Sequence, residues 1–398
     1  MRVKVISEAD PHVGIAPGWR QAPAAGSYGG WEPRLTLGAD AGFGLRLPDA
    51  KPTASKLYAP RGVWLDEERL IASDTGNHRV LIWHGRPDAD GAPADVVLGQ
   101  PDASSEGPAA GGDPRNGMYL PTGVIVDAGR LVVADAWHHR ILVWDRVPDV
   151  SGTAPDHVLG QPTFADVEPN AGAEPTASNF YWPFGVSVID GRFYVCDTGN
   201  RRVLVWRDGV PLDGRPADVI LGQPDAQARE ENRGGAVGAD SFRWPHAVAG
   251  TGRGGIVIAD AGNHRLLRWD AHPEVDGPAD GVLGQPDFET GTEFPYISQE
   301  GRLRFPYAVA GPPGLALADT SNNRVLMWDE FPFDGRLADV ALAQYDLASN
   351  GENRWDSVVP DSLCWPYGLA RFNDELAIAD SGNNRIVLWA RTTDGEGG

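Results

Sequence analysis

The sequence predicts an all-β chain folded as a six-bladed β-propeller, with four antiparallel strands to a blade and a ring closed by an N-terminal strand. Three observations predict it. The stretch LIASDTGNHRVLIW (70–83) returns five times, and its closing residues Trp83, Trp144, Trp206, Trp269, Trp328 and Trp389 stand 61, 62, 63, 59 and 61 residues apart. A fixed internal period marks a repeat architecture and overrides the two or three domains that 398 residues would otherwise suggest. Each copy breaks into short runs rich in Val, Ile, Leu and aromatics with turn residues between them, and no stretch keeps a helical period. Finally, a second motif is one copy short after the first tryptophan, and the missing copy stands near the start of the chain.

That second motif is VVLGQPD (96–102), repeated as HVLGQPT (157–163), VILGQPD (219–225), GVLGQPD (281–287) and VALAQYD (340–346), with none after Trp389. RLTLGAD (34–40) supplies the sixth, so the N-terminal segment is expected to pair with the last blade and remove the open sheet edges that invite aggregation. The chain then divides into an N-terminal segment (1–56) rich in Gly, Pro and Ala, the propeller (57–389), and a flexible tail (390–398). Within a blade, strand a follows a proline, as in GVIVD (123–127). Strand b ends at the first Asp of the repeat (131–135), strand c runs to the tryptophan (140–144), and strand d ends in the LGQP motif. Several strands are apolar on both faces, as sheets sandwiched between neighbours should be.

The Pro-x-Gly-Val entry, the Ala-Asp-x-x-Asn-x-Arg turn and the Val-Leu-x-Trp exit resemble those of the NHL-repeat family, in the bacterial form with LGQPDF-extended repeats, over about 330 residues. The blades are longer than the ~40–45 residues of WD-type repeats, with much of the excess between strands d and a. The resemblance implies a propeller that binds at its axial mouth or serves as an interaction scaffold. Related amidating lyases hold zinc with histidines directly after the entry proline in three blades, a position that only His246 matches here. Gluconolactonase-like propellers ring an axial divalent ion with acidic and amide ligands, and no entry residue here is Asp, Glu or Asn.

Composition narrows the partners. With 55 acidic and 34 basic side chains the net charge is −21, which favours solubility and weighs against nucleic acid, since phosphate backbones need a concentrated positive face. No apolar run reaches membrane-spanning length, so neither membrane nor nucleic acid is an expected partner and a cytoplasmic location is the default. The two cysteines, Cys196 and Cys364, fall in opposite blades and are expected to stay unbridged.

What is copied six times should be scaffold. Asp74, Asp135, Asp197, Asp260, Asp319 and Asp380 are each matched by an arginine five residues on, and no single site needs six identical pairs. Function is expected where copies differ on a shared face. Strands alternate in direction, so the b–c turns, the d–a loops and the starts of the innermost strands all open on one face. The residue after the entry proline is Arg61, Thr122, Phe184, His246, Tyr307 or Tyr367 in blades one to six. Arg61, His246, Tyr307 and Tyr367 form the candidate catalytic arc, a cation with an imidazole and two phenols. Thr122, Phe184, Trp137, Arg243 and Arg304 are candidate ligand contacts; both arginines stand just ahead of an entry proline. Blade two departs from the turn pattern with Trp137-His138-His139, and His138 with His246 could hold a divalent metal. Two functions follow as expectations: a small-ligand pocket, with non-redox lyase, hydrolase or isomerase chemistry, or a protein-interaction scaffold without catalysis.

Overall fold

The computed structural model describes residues 28–38 and 51–392. It contains six four-stranded antiparallel sheets, which makes the protein a six-bladed β-propeller. In blade three, strand a is Pro183–Ile189, b is Arg192–Asp197, c is Arg202–Trp206 and d is Val219–Leu221, each hydrogen-bonded to the next. The ring closes as the repeat count requires. Strand β1 (Trp31–Gly38) pairs antiparallel with strand c of blade six, from Trp31 opposite Arg391 to Gly38 opposite Arg385. The last two residues of the expected strand, Ala39 and Asp40, lie outside the described residues, as do 1–27 and most of the expected tail. Among the described residues no helix is long and apolar enough to cross a membrane.

Packing follows from the two-faced strands. Strands b and c of neighbouring blades interdigitate, so that Tyr194, Val203, Val205, Ile256 and Ile258 share one buried cluster, and equivalent clusters recur around the ring. The exit tryptophans lie inside these interfaces. In five blades the indole Nε1 donates to a carbonyl of the following c–d loop, as from Trp144 to Thr153 O at 3.0 Å. In blade six the outer strand comes from the other end of the chain. Among the described residues Trp389 Nε1 is buried without a partner, and Tyr28 packs edge-on against its ring at 5.4 Å.

The Asp–Arg pairs are wholly buried and tie loops together. In blade three, Arg202 donates from Nε to Asp197 Oδ2 (2.8 Å), from Nη1 to Ala226 O (2.7 Å), and from Nη2 to Thr176 O and Asn179 O (2.7 and 3.1 Å). Asp197 Oδ1 accepts the backbone N–H of Tyr181. One pair thus fixes a b–c turn and the d–a loops on both sides of its blade. The LGQP glutamine completes the tie: Gln223 Nε2 donates to Glu230 O at 2.9 Å.

The innermost strands crowd at the axis, and the second residue after the entry proline is small in every blade. A methyl group added to Gly185 would run into His246 O, and one on Gly62 into Thr122 O. Blades four and five accommodate Ala247 and Ala308 at this position. Gly185→Ala is therefore expected to cost about 1–3 kcal/mol in urea unfolding, as overpacking against backbone does. An unchanged midpoint would show that the hub yields.

Candidate functional site

The six entry residues converge at one end of the axis, and five make a continuous file. The Arg61 guanidinium lies 4.7 Å over the Tyr367 ring. Tyr367 stacks on Tyr307 at 4.5 Å, Tyr307 meets His246 at 4.3 Å, and His246 meets Phe184 at 4.3 Å. The sixth, Thr122, is buried, and its hydroxyl donates to Phe184 O at 2.7 Å. A cavity of about 390 Å³ extends from Arg61, His246, Tyr307 and Tyr367 along the inner strands to Asp66 and Phe372 at the opposite end. The hub is thus both packed and hollow, an aromatic collar bordering a channel.

The chemistry of the collar is set by burial. His246 Nδ1 lies 2.9 Å from Trp244 O; a carbonyl can only accept, so Nδ1 carries the proton and Nε2 is the bare acceptor. Burial lowers the His246 pKa to about 3, with the Arg61 charge acting in the same direction. Burial also pushes the Tyr307 phenol up, with Tyr367 adding to the effect. At neutral pH the collar therefore offers a neutral imidazole acceptor, a protonated phenol and a guanidinium. Among the described residues Arg61 has no carboxylate partner and no side-chain hydrogen bond, which sets it apart from the six buried scaffold arginines.

The other candidates are placed as follows. His138 takes the slot that Asn77, Asn200, Asn263, Asn322 and Asn383 fill elsewhere, and its Nδ1 is spent on Asp135 Oδ2 at 2.8 Å. Burial works against the Asp135 charge, but Arg140 and His138 together outweigh it and hold its carboxyl below the usual range. Among the described residues no three His, Cys, Asp or Glu side chains gather around a common point suited to a metal. Trp137 stands where four blades have glycine. It is half exposed and packs against Tyr119 and Trp182, with ring centroids 6.0 and 5.9 Å away. Arg243 and Arg304 are each paired, with Glu231 at 3.2 Å and Glu293 at 2.5 Å, so they add little net positive charge. Both cysteines are free, and burial pushes the Cys364 thiol up to about 12, far from a reactive thiolate.

Two features of this face were not read from the sequence. The residue immediately before the entry proline is Trp182, Trp244, Phe305 and Trp365 in blades three to six, against Ala59 and Leu120 in blades one and two. These aromatics are the visible signal of an outer tier. Trp182 contacts Phe184 and His246 with centroids 6.4 and 6.5 Å apart, and its buried Nε1 has no partner among the described residues.

The second feature is an inter-blade latch. The left-handed residue closing each b–c turn is His78, His139, Arg201, His264, Asn323 or Asn384. His78 Nδ1 accepts the backbone N–H of Leu120 (3.2 Å), His139 that of Trp182 (3.0 Å) and His264 that of Phe305 (3.2 Å), while Asn323 and Asn384 use Oδ1 for Trp365 and Ala59. Arginine has no acceptor. Where Arg201 occupies the slot, Trp244 N–H turns instead to Asp260 Oδ1 at 3.2 Å. The five latched pre-proline residues hold left-handed backbone, with φ of 46–55°, and Trp244 is not among the left-handed residues.

Fold and hub together define a six-bladed propeller with a cation-bearing aromatic collar at one mouth of its channel. No protein-family model matches the chain, and no curated protein does. Solved structures similar to it include the WD40 β-propeller domain of Doa1, at 12% identity and a TM-score of 0.49, covering 92% of this chain and 98% of that one. Virginiamycin B lyase from Staphylococcus aureus is similar at 9% identity and a TM-score of 0.46 (88% and 99% covered), as is a streptogramin B lyase at 11% and 0.45 (88% and 98%). At such identities the likeness is one of architecture alone.

Proposed function

We propose that the chain is an NHL-type propeller whose collar binds a small polar ligand through an anionic group, held between the Arg61 guanidinium and the Tyr307 and Tyr367 hydroxyls. The observation that carries this reading is Arg61 itself, a cation at the head of the cavity with no carboxylate partner among the described residues. A guanidinium is the side chain best matched to a carboxylate, and low surrounding polarity strengthens the pair. The neutral His246 acts first as a hydrogen-bond acceptor. A lyase, hydrolase or isomerase step would require its pKa to rise toward the working pH, and a bound anion moves it in that direction.

Thermal-shift and calorimetric titration against small carboxylic acids, lactones and phosphate tests the reading. Arg61→Ala is expected to weaken the best ligand at least tenfold, about 1.4 kcal/mol. If His246→Ala and Tyr307→Phe leave both ligand binding and every tested activity unchanged, the collar is a plug and the reading fails. The second reading, a protein-interaction scaffold, is favoured by large aromatics exposed on the d–a loops, with Trp355 at 77% and Tyr296 at 96% exposure. It would show as a protein partner lost on Trp355→Ala while small ligands stay silent.

A further inference from the structure

Resting on the anion-binding reading above, we propose that the ligand is a compact aryl monocarboxylate: one planar aromatic ring carried beside one carboxylate. The collar is aromatic in blades three to six (Phe184, His246, Tyr307, Tyr367) and carries its cation in blade one, so ring and charge are recognised on different sectors of one circle. Arg61 bridges the two by lying over Tyr367. The outer tier repeats this division, with Trp182, Trp244, Phe305 and Trp365 in the same four blades and small or aliphatic residues in the other two. The two positions flanking the entry proline, in contact where Trp182 meets Phe184 and His246, therefore share one asymmetry, which a symmetric ring does not require.

Ring orientation points the same way. Phe184 and Tyr307 are 6.0 Å apart and 30° from parallel, Tyr307 and Tyr367 are 28° from parallel, and His246 stands edge-on to Phe184 and Tyr307 at 63° and 81°. Faces and edges are both presented, so a planar ring finds offset-stacked and edge-on partners that a saturated ring of equal size does not. The cavity, about 390 Å³, lies at the small end of the range for small-molecule sites, which suits a single ring. The Arg61 guanidinium, without a carboxylate partner among the described residues, suits one carboxylate, while the chain's net charge of −21 disfavours a polyanion. Trp182, in ring contact with Phe184 and His246, backs the aromatic sector from outside the cavity lining.

Isothermal titration of the full chain at neutral pH with phenylacetate, cyclohexylacetate and acetate decides the matter. Phenylacetate is expected to bind at least tenfold more tightly than acetate and severalfold more tightly than cyclohexylacetate. Tyr367→Leu should abolish the phenylacetate preference while acetate changes less, and Arg61→Gln should weaken all three acids. Equal affinity for phenylacetate and acetate would overturn the ring inference and leave the anion site standing. Equal affinity for phenylacetate and cyclohexylacetate would overturn aromaticity alone. If none of the three binds at millimolar concentration, the inference falls together with the anion-binding reading on which it rests.

Discussion

Arg202→Ala is expected to lower stability by about 3–5 kcal/mol, the range found when one partner of a buried ion pair is removed. The side chain is fully buried and makes four hydrogen bonds, one to Asp197 and three to carbonyls of two different d–a loops. The deletion removes a donor from three carbonyls and the cation from a buried carboxylate, which keeps only the Tyr181 N–H and the Asn200 amide. Burial already pushes the Asp197 pKa up against the pull of Arg202, so the variant should take up a proton there on folding. Chemical unfolding monitored through tryptophan fluorescence measures the loss. Asp197→Asn combined with Arg202→Met should recover about 1–2 kcal/mol of it, because no uncompensated charge remains. A single variant within about 1 kcal/mol of the parent would show that the pair is dispensable.

Acidification below about pH 6.5, the ordinary imidazole value, is expected to destabilise the ring through the latch histidines. His78, His139 and His264 each accept a backbone N–H at Nδ1, which a protonated imidazole cannot do. Burial lowers all three pKa values, to about 4 for His139 and His264, and lowers His246 to about 3. Because the folded values lie below the unfolded one, the unfolded chain binds more protons as pH falls. Stability is therefore full above pH ~6.5, declines from there, and the loss is complete only below the folded values. His246, His139 and His264, all buried, each contribute at most about 1.4 kcal/mol per pH unit between the unfolded and folded values. The buried aspartates Asp74, Asp197 and Asp380, pushed up by burial, act in the opposite sense. A comparison at matched pH isolates the histidines. Blades five and six already latch with asparagine, so His78→Asn with His139→Asn and His264→Asn should leave neutral-pH stability within about 1 kcal/mol and lower the acid-unfolding midpoint by roughly half a pH unit or more. Superimposable acid-unfolding curves would refute the latch.

The propeller was legible because repetition carries it: the tryptophan period gave blade number, and the orphan copy at 34–40 gave the closing strand. The collar was legible for the same reason, since one column of the repeat places Arg61, His246, Tyr307 and Tyr367 around a common axis. Individual departures misled where a column was read for identity alone. Trp137-His138-His139 stands out as a motif, yet His138 replaces an asparagine in kind by bonding the turn aspartate, and His139 shares its role with His78. Arg201 looks ordinary beside Arg202, yet it is the one latch residue without an acceptor and changes the path of the chain at Trp244. The charges of Arg243 and Arg304 were visible, but not their glutamate partners, which lie on loops whose course no local pattern encodes.

Blade six is the one sheet assembled from both ends of the described chain, with Trp31–Gly38 laid against a strand that ends at Arg391. That gives the circle a seam. Closing it joins the most distant partners along the chain, but the entropy of closure grows only with the logarithm of the intervening length, so the seam costs little more than a much shorter crossing. Every other sheet is continuous in sequence, and where each of their outer strands pairs through three residues, β1 pairs through seven, so the join is secured by the longest outer pairing of the ring. Trp389, whose indole N–H lacks among the described residues the carbonyl that its five counterparts hold, is the one exit tryptophan at which the join leaves that tie unmade.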